Sequence, residues 1–387
     1  MSKIRTALFL VLTLSLVPAD LFAQTADRGS RGIFIESADG IWSTALQFRL
    51  QFRISNPYDS DPNDLGDFDT ETTNTAIRRA RMKVNGRGFQ PWLAYYMEFD
   101  VGSASLLNYE LKVEPSPQFN FKVGQWKANY TRERIVSSGR QLTVDRSLIN
   151  RPFTIDRQQG LSIYGHLAEG TAADLNYWVS AFTGMGRAGT RNDDTDLMYM
   201  GRLQWSPLGN QVPFRSGDNA RSDEAQLSFA VGANTNNSPC TRFSGSGCGT
   251  LEGYSSGGDY RVQQAMFETA FHYRGFSWAQ EYHWKNVRDN ETSAETQLTG
   301  NYVMVGYFPS ELIEGVPEPL ELGFRWSEFR PDDSVDASDW RELTFAVNWF
   351  FADHDNKITA EYALFRAQQA TSERNDGRVR LQWDIQF

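Results

Sequence analysis

The feature that most constrains this chain is a strict two-residue alternation of apolar and polar side chains. In residues 46–54, Leu46, Phe48, Leu50, Phe52 and Ile54 fall on one face and Gln47, Arg49, Gln51 and Arg53 on the other. Successive side chains of a strand point to opposite faces, so this period selects a β-strand and rejects a helix. The closing residues 378–387 repeat it, with Val379, Leu381, Trp383, Ile385 and Phe387 against Arg378, Arg380, Gln382, Asp384 and Gln386. Other such faces are Leu93, Tyr95, Met97, Phe99 and Val101, then Leu107, Tyr109, Leu111 and Val113, then Leu343, Phe345, Val347 and Trp349. No helix is required beyond short turns in loops.

One such strand alone fits a soluble sandwich whose polar face meets water. Together, however, they number about 16, and many carry Tyr, Trp or Phe near an end of the apolar face, as the girdles of a transmembrane barrel do. An open sheet edge is not tolerated in lipid, so the strands must close, and an even number returns both barrel ends to one side. The expected strands are 41–54, 74–87, 90–102, 104–115, 117–129, 159–169, 171–184, 194–207, 223–235, 258–274, 275–288, 297–309, 319–331, 338–351, 355–368 and 376–387. The longest connections, 55–73, 130–158 and 236–257, then all lie at the outer end. Two features depart from this rhythm: the inner 208–222 segment is long, and the outer turn at Gly102 and Ser103 is short. Which face of 297–309 meets lipid is ambiguous.

Residues 1–23 read as a secretory signal that leaves a single barrel domain over 24–387. Lys3 and Arg5 are followed by the 11 apolar-rich residues Ala7 to Val17 and by Ala23 at the expected cleavage position before Gln24. An apolar run of that length is too short to span a bilayer, and nothing later approaches the ~20 residues that a transmembrane helix needs. The formal charge is −10, from 38 basic and 48 acidic residues, which argues against nucleic acid as a partner.

Catalytic and metal chemistry find little support. His166, His272, His283 and His354 are scattered, with no HExxH or GxSxG motif and no P-loop. His272 and His283 are expected to face the lumen or an interface. Asp59, Asp61 and Asn63 resemble the start of a calcium loop, but Asp64 stands where the turn needs Gly and no Glu follows at the twelfth position, so a solvated acidic loop is expected and no metal. No cofactor is implied. Cys240 and Cys248 suit a local disulfide in an exported loop.

The most informative asymmetry is in residues 127–158. Lys127, Arg132, Arg134, Arg140, Arg146, Arg151 and Arg157 face only Glu133, Asp145 and Asp156 there, in an otherwise acidic chain. Arg49, Arg53, Arg79, Arg81 and Lys83 share the polar face of the first two strands, so an inward-folded loop brings two basic surfaces together. Clustered Arg and Lys in a constriction concentrate anions and offer forked donors to phosphate-like groups. Glu98, Asp100, Glu110, Lys112 and Glu114 on the next strands mix the charge. With the loop outward instead, its arginines would meet lipopolysaccharide phosphates or neighbouring acids.

These residues resemble the phosphate-selective porins of Gram-negative outer membranes, the porin O and P family. The similarity lies in Gly32-Ile33-Phe34-Ile35 with Asp39-Gly40, in Ile77-Arg78-Arg79-Ala80-Arg81, in Tyr96-Met97-Glu98-Phe99-Asp100, and in Phe121-Lys122-Val123-Gly124-Gln125-Trp126-Lys127. It continues in Ser137-Ser138 through Leu142, Asp145-Arg146-Ser147 and Tyr302 to Phe308, and the terminal Phe387 looks like the signal read by the barrel assembly machinery. The resemblance implies a 16-stranded, all-β, antiparallel transmembrane barrel, trimeric, with its third outer loop folded into the lumen. It implies passive passage of small hydrophilic or anionic solutes, with phosphate binding carried onto Arg79, Arg81, Lys83, Lys122 and Lys127; Arg49, Arg53, Arg132 and Arg134 complete the expected pore lining. Outer-membrane lipid and lipopolysaccharide are the expected surroundings. The alternative from another class is a sealed barrel serving as a surface-binding scaffold.

Overall fold

The computed structural model describes residues 25–29, 32–187, 195–335, 338–369 and 372–387. The expected signal over 1–23 and its cleavage site lie outside the described residues. Sixteen strands form the wall: β3 (Ser43–Asn56), β4 (Asn74–Gly88), β5 (Gln90–Asp100), β6 (Ser105–Ser116), β7 (Phe119–Lys127), β8 (Arg157–Leu167), β9 (Asp174–Phe182), β10 (Met198–Ser206), β11 (Gln226–Ser238), β12 (Tyr260–Tyr273), β13 (Phe276–Asp289), β14 (Glu295–Tyr307), β15 (Leu320–Arg330), β16 (Ser338–Ala352), β17 (Asn356–Gln369) and β18 (Ser372–Gln386). Every expected strand is present. Each pairs antiparallel with the next, and β18 returns to β3, Val379 opposite Asn56 and Gln386 opposite Arg49. Below that seam, Phe48 and Phe387 exchange backbone hydrogen bonds of 2.7 and 2.9 Å, so the terminal residue seals the closure. Two short strands not expected from the pattern, β1 (Thr25–Gly29) and β2 (Gly32–Glu36), form a hairpin laid on the inner end of β3.

The distribution of side chains is inverted relative to a water-soluble protein. Arg202, Glu268, Arg325, Glu342 and Arg378 are at most 1% exposed, whereas Leu203, Phe267, Phe345, Val379 and Trp383 are 43–56% exposed. That arrangement is stable only where the outer face meets hydrocarbon and the inner face supplies partners for its charges.

Bulges correct two details of the alternation. The register of β5 and β6 slips between Glu98 and Phe99, so Leu106 takes the outer face and Leu107, expected there, is buried. A second slip between Gln51 and Phe52 leaves Arg78 as the extra residue of β4. The ambiguous segment resolves with its even residues inward: Leu298, Tyr302 and Met304 are buried while Val303 and Val305 alternate outward.

Near the inner rim, Tyr95 lies across the bare outer face of Gly86. A Cβ at Gly86 would stand 1.8 Å from the Ser43 carbonyl oxygen and 2.7 Å from the Tyr95 hydroxyl, which is hydrogen-bonded to Thr44 Oγ1. The close backbone approach and the covering ring are what a glycine in a curved strand permits. Gly86→Val is expected to prevent closure, read as loss of the compact, heat-sensitive band of the unheated protein on an SDS gel.

Candidate functional site

The connection from β7 to β8, residues 128–156, contains two single-turn helices, α1 (Arg132–Ile135) and α2 (Asn150–Phe153). The Thr131 side chain caps the first by accepting from the Arg134 N–H at 3.3 Å. Instead of lying over the rim, this third outer loop is held against inward-facing side chains of β12 to β17. Glu268 accepts from the Arg132 backbone N–H at 3.2 Å and from its Nε at 2.7 Å. Arg202 donates to the same carboxylate at 2.8 and 2.9 Å. Glu281 accepts from the Glu133 N–H, Glu361 from the Val144 N–H and Glu342 from the Leu148 N–H, at 2.8, 2.8 and 2.9 Å. Lys285 donates to the Pro152 carbonyl and Asn348 to the Leu142 carbonyl, at 2.9 and 2.8 Å. The wall thus satisfies loop backbone that would otherwise be orphaned.

Apolar contacts fill the gaps. The Phe153 ring stacks on His283 at 5.3 Å and occupies the space left by Gly300, where a Cβ would come within 2.4 Å of it. Leu142 lies similarly against Gly306 and Gly323. From above, the Cys240–Cys248 disulfide, with Cα atoms 5.3 Å apart, closes a loop whose Phe243 carbonyl accepts from the Asp156 N–H at 2.8 Å.

The long inner segment between β10 and β11 supports the loop from below. Arg132 donates to the Pro213 carbonyl at 2.9 Å, the Ser216 N–H donates to the Arg140 carbonyl at 2.9 Å, and Phe214 lies 4.8 Å from the Arg132 guanidinium. Its unusual length was visible in the sequence; its upward course was not.

Loop and support therefore fill the half of the lumen beside β10 to β17. The other half is a slot along β4 to β8, where the inward Arg79, Arg81 and Lys122 side chains keep 10–13% exposure. Arg79 donates to Gln51 Oε1 at 2.7 Å and lies 3.6 Å from Asp145; Arg81 pairs with Glu98 at 2.8 Å and Asp100 at 3.2 Å. Lys83 donates to Gln386 at 3.1 Å, and Lys127 to the carbonyls of Arg134 and Ile135 at 3.2 and 3.3 Å. Lys122 donates to Asn129 at 3.2 Å beside the Trp126 ring. Arg134 pairs with Asp156. Arg140, not singled out among the expected site residues, is exposed at the tip of the loop and has no side-chain partner among the described residues.

Arg49, Arg53 and Arg132 depart from the expected lining. They are 2–4% exposed and hold the loop: Arg49 joins Asp384 to Ser138, Arg53 joins Asp59 and Asp145, and Arg132 joins Glu268 to the inner segment. The acidic first loop is likewise less solvated than expected. Asp59 and Asp61 turn inward onto Arg53 and Arg378, at 2.9 and 2.7 Å, and Asp64 caps a short 3-10 turn at Leu65–Asp69. His272 and His283 point inward and are buried.

Two loop carboxylates differ in their ionisation. Burial alone would raise Asp145, but the Arg79 and Arg53 guanidiniums hold it well below the ordinary carboxylate range. Glu133 is pushed up to about 7 by burial, which outweighs the Arg325 guanidinium, with Glu281 adding repulsion.

A closed 16-stranded antiparallel barrel with a charged lumen narrowed by its third outer loop is the architecture of outer-membrane porins. The chain belongs to the phosphate-selective porin O and P family, whose model matches residues 48–387. Its fold is similar to that of the outer-membrane channel DcaP of Acinetobacter baumannii, with a TM-score of 0.58 and 12% identity over 91% of this chain and 99% of that one. The loop L8 deletion mutant of Vibrio cholerae OmpT gives 0.56 and 13% over 90% and 100%. The anion-selective porin from Comamonas acidovorans gives 0.55 and 9% over 89% and 99%. No curated protein sequence matches the chain. It is a porin of the Gram-negative outer membrane, a passive channel for small hydrophilic solutes.

Two predictions follow from the loop's attachment. Glu268→Ala leaves two buried guanidiniums without a counter-charge, a loss of about 3–5 kcal/mol, and is expected to free the loop while the wall stays closed. Trypsin cleavage at Arg134 or Arg140 in the folded barrel reads this directly. The raised Glu133 group means that the packed loop binds a proton the free loop would release, so packing is firmest below the ordinary carboxylate range and weakens as pH rises through about 7. Current noise in single channels should grow between roughly pH 5 and pH 8, and Glu133→Gln should remove that dependence.

Proposed function

We propose that this porin, a single barrel domain over 24–387 released from a signal at 1–23, conducts small anions through the slot beside its third outer loop and favours oxyanions such as phosphate. The observation that carries this reading is the division of the lumenal cations. Side chains of Arg49, Arg53, Arg132, Arg202, Arg325, Arg378 and Arg380 are 0–3% exposed, whereas those of Arg79, Arg81, Lys122 and Arg134 are 10–13% exposed along the slot. Lys83, Lys127 and Arg140 add basic charge there with no carboxylate at ion-pair distance among the described residues.

An entering anion meets Arg134 and Arg79, passes Arg81, and leaves past Lys83 and Arg140. Forked guanidiniums suit the paired acceptors of an oxyanion better than the single acceptor of chloride. Glu98 and Asp100 fix the Arg81 side chain and limit the depth of the well, because a solute bound too tightly would not leave. The mechanism uses no catalytic group, cofactor or energy source. A homotrimer is the assembly this reading favours; OmpT of Vibrio cholerae, of similar fold, is known in a trimer form.

The test is the reversal potential of the purified protein in a planar bilayer under a KCl gradient, followed by phosphate titration of the chloride current. Anion preference with block by phosphate is expected. Replacing Arg79, Arg81 and Lys83 together by Gln should lower the anion-to-cation permeability ratio several-fold, and unchanged selectivity would remove them from the mechanism. A barrel with no conductance would overturn the reading in favour of a surface-binding scaffold.

A further inference from the structure

Twice on the outer face of the barrel, the strand register sets one arginine directly opposite another. Arg261 of β12 stands opposite Arg288 of β13, and Arg341 of β16 opposite Arg366 of β17. All four point away from the lumen. Their chain neighbours Val262, Val287, Glu342 and Phe365 are buried inward, while the Arg288, Arg341 and Arg366 side chains are 49%, 44% and 41% exposed and Arg261 is exposed. Like charges directly opposite destabilise a strand pair, so one such pair calls for a reason and a repeated one more so.

The repetition extends beyond the arginines. In the first row the register runs Asn237, Arg261, Arg288, Glu295 across β11 to β14. In the second it runs Asn375, Arg366, Arg341, Glu328 across β18 to β15. Each row is thus an amide, two guanidiniums and a carboxylate on four adjacent strands. In the first row the one carboxylate in reach is on the flank, Glu295 at 3.8 Å from Arg288; in the second, Glu328 lies 3.9 Å from Arg341 and 3.3 Å from Arg330, and Asp339 and Glu373 pair with Arg341 and Arg366 from the loop side at 2.9 and 3.2 Å. Arg261 has no ion pair among the described residues.

Both rows sit at the same height. Arg261 and Arg288 are 12 residues from the inner ends of their strands at Tyr273 and Phe276, and Arg341 and Arg366 are 11 and 10 residues from Ala352 and Asn356. With a rise of about 3.3 Å per residue and a tilt of about 40°, that is roughly 25–30 Å along the membrane normal, the outer edge of the apolar band. Below each row the wall is hollowed. A hollow of about 620 Å³ involves Trp326, Leu343, Leu364 and Gly377 under the second row, and one of about 570 Å³ involves Gly201, Ala233, Ala265 and Trp284 under the first.

We propose that each row binds the phosphorylated sugar headgroup of an outer-leaflet glycolipid. The phosphate bridges the two guanidiniums: in the first row it supplies the counter-charge that Arg261 lacks, and in the second it takes the donors of Arg341 and Arg366 not used by Asp339 and Glu373. Asn237 and Asn375, which each donate one amide hydrogen to Asp196 and Glu373, keep the second for a sugar hydroxyl, Glu295 and Glu328 offer acceptors, and an acyl chain lies in the hollow beneath. The inference rests on the outer-membrane placement of the chain but not on what the lumen conducts.

The experiment measures binding of fluorescent lipopolysaccharide to the full folded barrel in detergent, beside its planar-bilayer conductance. The variants are Arg261→Gln with Arg288→Gln, Arg341→Gln with Arg366→Gln, and all four together. Each pair is expected to remove one class of site, and the fourfold variant to bind at least about tenfold more weakly, with conductance and the compact gel band unchanged. Dephosphorylated lipopolysaccharide should bind the native protein as weakly as the native ligand binds the fourfold variant. Undiminished binding by the fourfold variant overturns the proposal, as does equal binding of dephosphorylated ligand. Equal competition by phosphatidylglycerol vesicles would reassign the rows to acidic phospholipid. Loss of oligomers with unchanged lipopolysaccharide binding would reassign them to a subunit interface. Should the native protein fail to conduct, the porin reading fails while these arms keep their meaning.

Discussion

Inside hydrocarbon a backbone N–H or C=O without a partner costs several kcal/mol, and a strand satisfies its own only through a neighbour on each side. The other features of this chain answer to that demand. It closes β18 onto β3, down to the reciprocal bonds of Phe48 and Phe387. Closure gives each strand one face toward lipid and one toward the lumen, which makes the two-residue period obligatory. Sixteen strands also enclose a space wider than wall side chains can fill. Loops must then narrow it, and a loop brought inside carries the same backbone demand with it.

That second demand explains the carboxylates of the far wall. Glu281, Glu342 and Glu361 each accept from a backbone N–H of the third outer loop, and Glu268 accepts one from Arg132 while pairing with two arginines. A buried charge is tolerated only when paired and hydrogen-bonded, so once these acids are committed to the loop, the arginines beside them must be committed too. Arg325 links Glu342 to the loop carbonyl of Asp145, and Arg380 pairs with Glu361. The result is lopsided. One side of the lumen becomes a polar core with an apolar filling of Leu142, Ile149 and Phe153, and the opposite side keeps partly exposed cations, Arg79 and Arg81.

Much of this was legible in the sequence because it is local. The period of two identifies every barrel strand, and loop lengths orient the barrel, since both are read within a few residues of each other. Bulges were not legible: nothing in Leu106-Leu107 says which leucine is the extra one. The inward apolar residues of β14 looked contradictory because their partner, Phe153, lies more than 140 residues away. The roles of the basic residues failed for a related reason. Arg53 and Arg79 share a face and a residue type, but Asp59 and Asp145 reach the first closely and only Asp145 approaches the second. Whether an arginine is a strut or a lining group depends on which carboxylate arrives beside it, and that is fixed by the folded loops.

An acidic chain is compatible with the basic slot proposed for it. A net charge of −10 sums the whole molecule, whereas an ion in a constriction responds to the charges within one Debye length, ~8–10 Å, that lack a neutralising neighbour. Here the acids nearest the lumen are already engaged. Asp59, Asp61 and Asp384 face Arg53, Arg378 and Arg49, and Glu98 is shared between Arg81 and Arg157. Lys83, Lys127 and Arg140 have no such neighbour among the described residues, and on the proposed reading the field along the slot takes their sign. Low-dielectric walls strengthen it there, and the acidic surface beyond the mouth is screened by salt. On the proposed reading, selectivity follows from which few charges are left over after the loop has been anchored, and the overall balance of acids and bases has little part in it.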